Sequence, residues 1–144
     1  MGAEGFSPRL AQFISKLSPG LQSLLRENDE EIEDISVDTT NNTLRVHSRL
    51  FNFTLTPLPG CCGVMVSYDA SVTEKSRGKG LGRSLLQFRQ DIAKFEKYGL
   101  MIATVLDNNE AQKALLTSEG WASATTFVNP KTKNLVRLMY KVLP

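Results

Sequence analysis

The chain has 144 residues, 41% of them hydrophobic and 22% charged, with a net charge of +2. That length and balance suit a soluble globular protein with one core, read as a single domain over residues 1–144. No apolar run approaches the roughly 20 residues a membrane helix needs, and the first residues show no signal-peptide apolar stretch. Phe6 also stands where an N-myristoylation motif would have Ser or Thr.

The two cysteines, Cys61 and Cys62, are adjacent. Neighbours in sequence are badly placed to bridge each other, and His47 is the only histidine, so no metal-ligand spacing arises. Both cysteines read as small apolar residues opening a strand, and a reducing, cytoplasmic setting is expected. Charge is uneven: residues 1–70 carry five Lys/Arg against nine Asp/Glu, and residues 71–144 carry twelve against six. A basic half suits nucleic acid or a phosphorylated small molecule. The aromatic-basic interleaving of single-strand binders is missing, so nucleic acid is not favoured.

Two helices are predicted first, each opening with Ser-Pro. Ser7 caps the first, with Pro8 at its first position and Leu10, Phe13, Ile14 and Leu17 at helical spacing. Ser18 and Pro19 open the second, with Leu21, Leu24 and Leu25 as its apolar stripe. The acidic run Glu27-Asn28-Asp29-Glu30-Glu31 reads as a solvated connection. From Ile32 the period becomes two: Ile35 and Val37 alternate with polar residues, and Thr39-Thr40-Asn41-Asn42 reads as a hairpin turn. One long strand is then predicted from Leu44 to Leu55, with its apolar face switching at a bulge near Arg49. Pro57-Leu58-Pro59-Gly60 ends it, and a third strand is predicted from Cys61 to about Val72.

Leu81, Leu85, Phe88, Ile92 and Phe95 mark one face of a long helix ending near Gly99. Leu100 to Leu106 is a continuous apolar run, which suits a parallel strand buried on both faces. Residues 61–106 thus read as one βαβ unit. Asn108 or Asn109 caps a further helix carrying Ala111, Ala114 and Leu115. Trp121 to Val128 and Leu135 to Val142 form a closing hairpin about Asn129-Pro130-Lys131-Thr132.

The turn Arg77-Gly78-Lys79-Gly80-Leu81-Gly82 joins the strand to the helix N-terminus, where unpartnered amides and the helix dipole favour an anion. Its glycines admit a close backbone approach, and Arg77, Lys79 and Arg83 add positive charge. The P-loop pattern fails because Gly80 follows Lys79, and G-x-G-x-x-G fails because Arg83 or Leu85 stands at the third glycine position. Arg77-x-x-Gly80-x-Gly82 instead resembles the R/Q-x-x-G-x-G/A turn of the GNAT superfamily of acyl-CoA N-acyltransferases. Val72, five residues before Arg77, resembles the family's strand end. Leu100–Leu106 looks like its fifth strand, and Asn108 through Gly120-Trp121 looks like its Asn-x-x-Ala helix ending in Gly-aromatic. The resemblance covers residues 61–142 in motif and the earlier residues in topology only.

The resemblance implies a mixed α/β (α+β) fold: a mainly antiparallel sheet with a central parallel βαβ unit, two N-terminal helices and a C-terminal β-hairpin. It implies acetyl-CoA as acetyl donor and a primary amine, on a small molecule or a protein, as acceptor, joined by direct attack in a ternary complex. Backbone groups of Ala70, Ser71 and Val72 would bond the pantetheine and the acyl carbonyl. The amides of Gly78, Lys79, Gly80, Leu81, Gly82 and Arg83 would hold the pyrophosphate beside Arg77, and Asn108 would contact the cofactor across the gap. Candidate general bases are Tyr68, Asp69 and Glu74. With strict alternation, Tyr68 shares the face of Ala70 and Val72 while Asp69 faces away; a bulge would change that parity. Two departures from the family stand out. Met1 to Phe6 is too short for its first strand, and Leu116 occupies the place of its usual Tyr acid, followed by Thr117 and Ser118. A CoA-binding module without catalysis, acting through a protein partner, is the alternative reading. No membrane partner is expected, and a homodimer stays open.

Overall fold

The computed structural model describes residues 6–15, 22–23, 26–27, 35–73 and 80–144. In chain order the elements are helix α1 (Leu10–Ser15), strands β1 (Ser36–Asp38), β2 (Leu44–His47), β3 (Phe51–Pro57) and β4 (Val64–Val72), helix α2 (Leu81–Phe95), strand β5 (Leu100–Leu106), helix α3 (Glu110–Ser118), and strands β6 (Ala122–Val128) and β7 (Leu135–Val142). The strands form one seven-stranded sheet in the order β1-β2-β3-β4-β5-β7-β6. Every neighbouring pair is antiparallel except β4 and β5, which are parallel and joined through α2.

Helix α1 begins at Leu10, later than the Ser7-Pro8 signal, with the Leu10 amide donating to the Ser7 carbonyl at 3.1 Å. Phe13 stacks on Phe95 of α2 with ring centroids 4.5 Å apart. Of the second predicted helix, Gln22 and Ser23 are described and helical, and Arg26 and Glu27 are helical too, the latter at the start of the run read as a connection; the positions between and around them lie outside the described residues.

The predicted single strand from Leu44 to Leu55 is two strands, β2 and β3, paired antiparallel with Leu44 opposite Leu55 and His47 opposite Asn52. The reversal is built by Ser48: its amide donates to the Phe51 carbonyl at 2.8 Å, and its hydroxyl accepts from the amides of Leu50 and Phe51 at 3.0 and 3.3 Å. A serine hydroxyl that satisfies the turn amides replaces the glycine a tight hairpin often needs. What reads as a face switch near Arg49 is therefore a chain reversal. The third strand starts at Val64, leaving Cys61 and Cys62 exposed, and free as thiols, in the turn before it.

Leu81, Leu85, Leu86, Phe88 and Ile92 of α2 join Val46, Phe51, Phe53, Leu55, Met65 and Met101 of the sheet in one core. Phe53 meets Phe88 edge-on, with centroids 6.1 Å apart. Strand β5 has the predicted bounds, but it is not buried on both faces. Met101, Ala103 and Val105 are buried while Thr104 and Leu106 are exposed. The alternation is that of a strand with one face on the core and the other open.

Candidate functional site

The register between β3 and β4 slips by one residue. Asn52 pairs with Ser71 and Thr54 with Tyr68, so Asp69 and Ala70 together face the single Phe53. This is a β-bulge, and Asp69 within it is left-handed, with φ 55°. Asn52 clamps it from β3: its amide nitrogen donates to the Asp69 carbonyl, and its amide oxygen accepts from the Ser71 hydroxyl. Bulges bend and twist the strand that carries them. On its other edge, β4 pairs with β5 only through Val64, Met65 and Val66, although both strands run on. Past Val66 the two parallel strands part, and backbone groups of residues 67–72 lose their ladder partners on that side.

The parting strands open into a cavity of about 450 Å³, a size suited to a small-molecule ligand. Ala70, Ser71 and Val72 line it from β4, and Asn52 and Phe53 from β3. Gly82, Leu85 and Arg89 line it from α2; their spacing of three and four residues puts them on one stripe of the helix. Asn109, Gln112 and Leu115 close it from α3. Gly80 is the N-cap of α2, left-handed with φ 81° and no side-chain cap. The first-turn amides of α2 thus have no capping side chain, which is the arrangement an anion uses.

The sequence-predicted residues fall into three groups. Ala70, Ser71, Val72 and Gly82 line the cavity, and Gly80, Leu81 and Arg83 surround the first turn of α2, with Leu81 buried in the core. Glu74, Arg77, Gly78 and Lys79 lie outside the described residues. Tyr68, Asp69 and Asn108 are exposed and away from the cavity lining. Asn109, rather than its neighbour, caps α3, accepting from the Gln112 amide at 3.1 Å while lining the cavity. The bulge sets the parity of β4: Met65 and Ser67 are buried, and Tyr68 and Asp69 are both exposed.

Arg83 spends its guanidinium on α3, donating to the Ser118 hydroxyl at 2.9 Å and to the Glu119 carboxylate at 2.7 Å. Ser118 in turn donates to the Leu115 carbonyl at 2.7 Å. Leu116 is buried in the core, while its neighbour Leu115 lines the cavity. Asp107, at the end of β5, accepts from Arg137 of β7 at 2.8 Å; that bond, with Lys113 at 3.6 Å, holds its carboxyl below the ordinary value. It ties the start of α3 to the sheet beside the cavity.

Asn52, Arg89 and Gln112 line the cavity and escaped the motif reading. Asn52 carries no signal in sequence beyond being a polar strand residue. Arg89 does carry one: it stands four residues after Leu85 on the apolar stripe of α2. It is 5% exposed, donates through Nη1 to the Ser67 hydroxyl at 2.7 Å and through Nε to the Leu85 carbonyl at 3.4 Å, and lies 5.9 Å from the Phe53 ring centroid. Burial lowers its pKa to about 10, so it remains a cation at neutral pH. Among the described residues, no group of three His, Cys, Asp or Glu side chains is placed to hold a metal ion, and no helix is long and apolar enough to cross a membrane.

No protein-family model matches this chain, and no curated protein sequence matches it. Solved structures do. One is yncA of Salmonella typhimurium, a proposed acetyltransferase solved with its cofactor acetyl-CoA, at a TM-score of 0.59 and 20% identity over 71% of this chain. Another is the IAA acetyltransferase of Bacillus cereus ATCC 14579, at 0.63 and 16% identity, covering 90% of this chain and 95% of that one. A GCN5-related N-acetyltransferase from Kribbella flavida matches at 0.57 and 24% identity, covering 70% and 67%. The chain has the GNAT fold. The GNAT resemblance carried by Arg77-x-x-Gly80-x-Gly82 and the runs after it is thus met at the level of the fold. The chain spans 64% of the length of the Salmonella protein. Within the GNAT fold, the cavity lies where the sheet's parallel pair parts beside the N-terminus of α2.

Proposed function

We propose that this chain is an acetyl-CoA-dependent N-acetyltransferase, acting in the cytoplasm on the primary amine of a small molecule or protein. The observation that carries this reading is the cavity joining the bulged end of β4 to the uncapped first turn of α2. Its residues suit the donor. Gly82 faces the cavity without a side chain, and a Cβ there would meet Leu115 Cδ2 at 3.8 Å, so the glycine keeps open the space between α2 and α3. Amides of Gly80, Leu81, Gly82 and Arg83 would hold a pyrophosphate together with Arg77, Gly78 and Lys79. The backbone of Ala70 to Val72, freed from β5, would bond a pantetheine arm, with Asn109 beside Asn108 on the far side.

Acetyl-CoA supplies an activated thioester. The protein's part is to hold a neutral amine against it and to aim donors at the developing oxyanion. A base that takes the ammonium proton directly or through water completes the scheme; Tyr68, Asp69 and Glu74 are the candidates. No proton donor stands at Leu115 or Leu116, so the thiolate leaves with a proton from water. A thiolate of pKa about 8.5 does so tolerably. Because the Ser118 hydroxyl is already committed to Arg83 and Leu115, the double change Thr117→Ala, Ser118→Ala should lower turnover by no more than about threefold, well below the usual effect of a general acid. Free-thiol release with a responsive amine measures it. A loss of about 100-fold with acetyl-CoA binding preserved would place the acid on this helix.

Acetyl-CoA or CoA should raise the melting temperature, and ATP or NAD at equal concentration should not. At 100 times the dissociation constant the gain is about 2.7 kcal/mol. An equal response to all four ligands would reduce the site to a generic phosphate site, and no response to CoA would sink the reading. The missing proton donor at Leu115 and Leu116 favours a second reading, a CoA-binding module without catalysis. Tight CoA binding with no thiol release across a broad panel of amines would select it.

A further inference from the structure

Among the described residues lining the cavity, Arg89 alone carries a charge. It lies on the stripe that begins at Gly82, seven residues on and so about 10 Å along the axis from the first turn of α2. It is therefore well inside the cavity, removed from any anion at the helix N-terminus. A guanidinium offers five N–H donors. Ser67 and Leu85 engage one each, and the other three have no hydrogen-bond partner among the described residues. Nor does any carboxylate among the described residues pair with Arg89, which is 5% exposed. With no opposite charge among the described residues, a buried cation is costly, because desolvation removes what water supplied. If its purpose were only to anchor β4 through Ser67, a neutral donor would serve at lower cost. The Ser67 hydroxyl and the Phe53 ring fix the fork in place instead, and its unused edge matches the two oxygens of a carboxylate.

We propose that Arg89 gives the cavity a carboxylate-binding position, so that one substrate of the transfer carries a carboxylate close to its reacting end. This rests on the acyl-transfer reading above. The carboxylate has two possible sources. It is either the far end of a dicarboxylic acyl group on CoA, or the carboxylate of an amino-acid acceptor whose amine is acylated. The other described lining side chains, Asn52, Ser71, Asn109 and Gln112 among them, bring no competing negative charge.

Calorimetry on the whole chain separates the sources in two arms. The first compares succinyl-CoA with acetyl-CoA. The second, at saturating acetyl-CoA, compares α-amino acids with their decarboxylated amines. In one arm the carboxylate-bearing ligand should bind at least about tenfold tighter, as a charged hydrogen-bonded pair implies. That preference should vanish in Arg89→Gln and fall towards parity in Arg89→Lys, whose ammonium cannot form the bidentate pair. A structural role for Arg89 would weaken all ligands alike and leave the ratio unchanged. Should Arg89→Gln not fold, Arg89→Lys alone decides by the same ratio. A preference in the first arm names the acyl donor as the source, and one in the second names the acceptor. Binding of CoA species without a carboxylate preference in either arm, or a preference untouched by both variants, overturns the proposal and leaves the acetyl-transfer reading standing. Failure of every CoA species to bind overturns both.

Discussion

Gly82→Val should abolish detectable binding of acetyl-CoA, with a loss of at least about 100-fold, or roughly 2.7 kcal/mol, while the protein stays folded. The asymmetry follows from where Gly82 sits. It is the second residue of α2, in ordinary helical conformation, so a side chain brings no backbone strain. Valine is in fact a better helix former than glycine, by a few tenths of a kcal/mol. The cost falls on the cavity. Leu115 Cδ2 would be 3.8 Å from an added Cβ, a normal contact that alanine can make, whereas the branched methyls of valine extend into the space between α2 and α3. Gly82→Ala is then the informative partner, with affinity reduced far less. Gly80 differs: at φ 81° any side chain there strains the turn itself, and a defect would not separate turn from ligand. Titration calorimetry and circular dichroism on Gly82→Val decide the matter. Wild-type affinity in a folded Gly82→Val protein would show that no ligand approaches this backbone.

How much was legible depends on whether the information was local. The apolar run Leu100–Leu106 and the pattern Leu135–Val142 were read with their observed bounds, because strand length and turn chemistry lie within a few residues. The turn at Ser48 was not, since Ser48-Arg49-Leu50 holds no glycine, proline or asparagine, and its amides are met by the Ser48 hydroxyl. Arg77-x-x-Gly80-x-Gly82 resembled the GNAT turn, and the fold that resemblance implied was met, while Arg77, Gly78 and Lys79 lie outside the described residues. Arg89 went unremarked, because its burial is created by Ser67 and Phe53, each more than twenty residues away in sequence. Leu115 and Leu116 differ by one residue, which turns a helical side chain by about 100°, here from cavity to core. The bulge was named only as something that would change the parity of β4. Nothing in Tyr68-Asp69-Ala70-Ser71 requires it until β3 is laid alongside with Asn52 to clamp it.

That bulge supports the other large effect. Removing Ala70 should leave a folded protein whose affinity for acetyl-CoA is lower by about 100-fold or more, roughly 2.7 kcal/mol. With Ala70 gone, Asp69 alone faces Phe53, and the pairs Thr54–Tyr68 and Asn52–Ser71 on either side keep their partners. The ladder becomes continuous, and Asp69 is released from its left-handed conformation, which for a non-glycine residue costs about 1 kcal/mol. Stability should therefore hold, or rise by up to about that amount. What is lost is the bend. A continuous β4 has no reason to turn from β5 after Val66, and hydrogen bonding between the parallel strands can extend towards Val72, consuming the backbone groups that the donor's arm would use. The melting temperature and binding isotherm of the shortened chain test the two halves of the argument separately. A folded protein that still binds acetyl-CoA at wild-type affinity would show that the strands part for another cause, such as α3 wedged against α2 through Leu115 and Gly82. A protein that binds weakly and melts no lower would place the origin of the crevice in the single extra residue of β4.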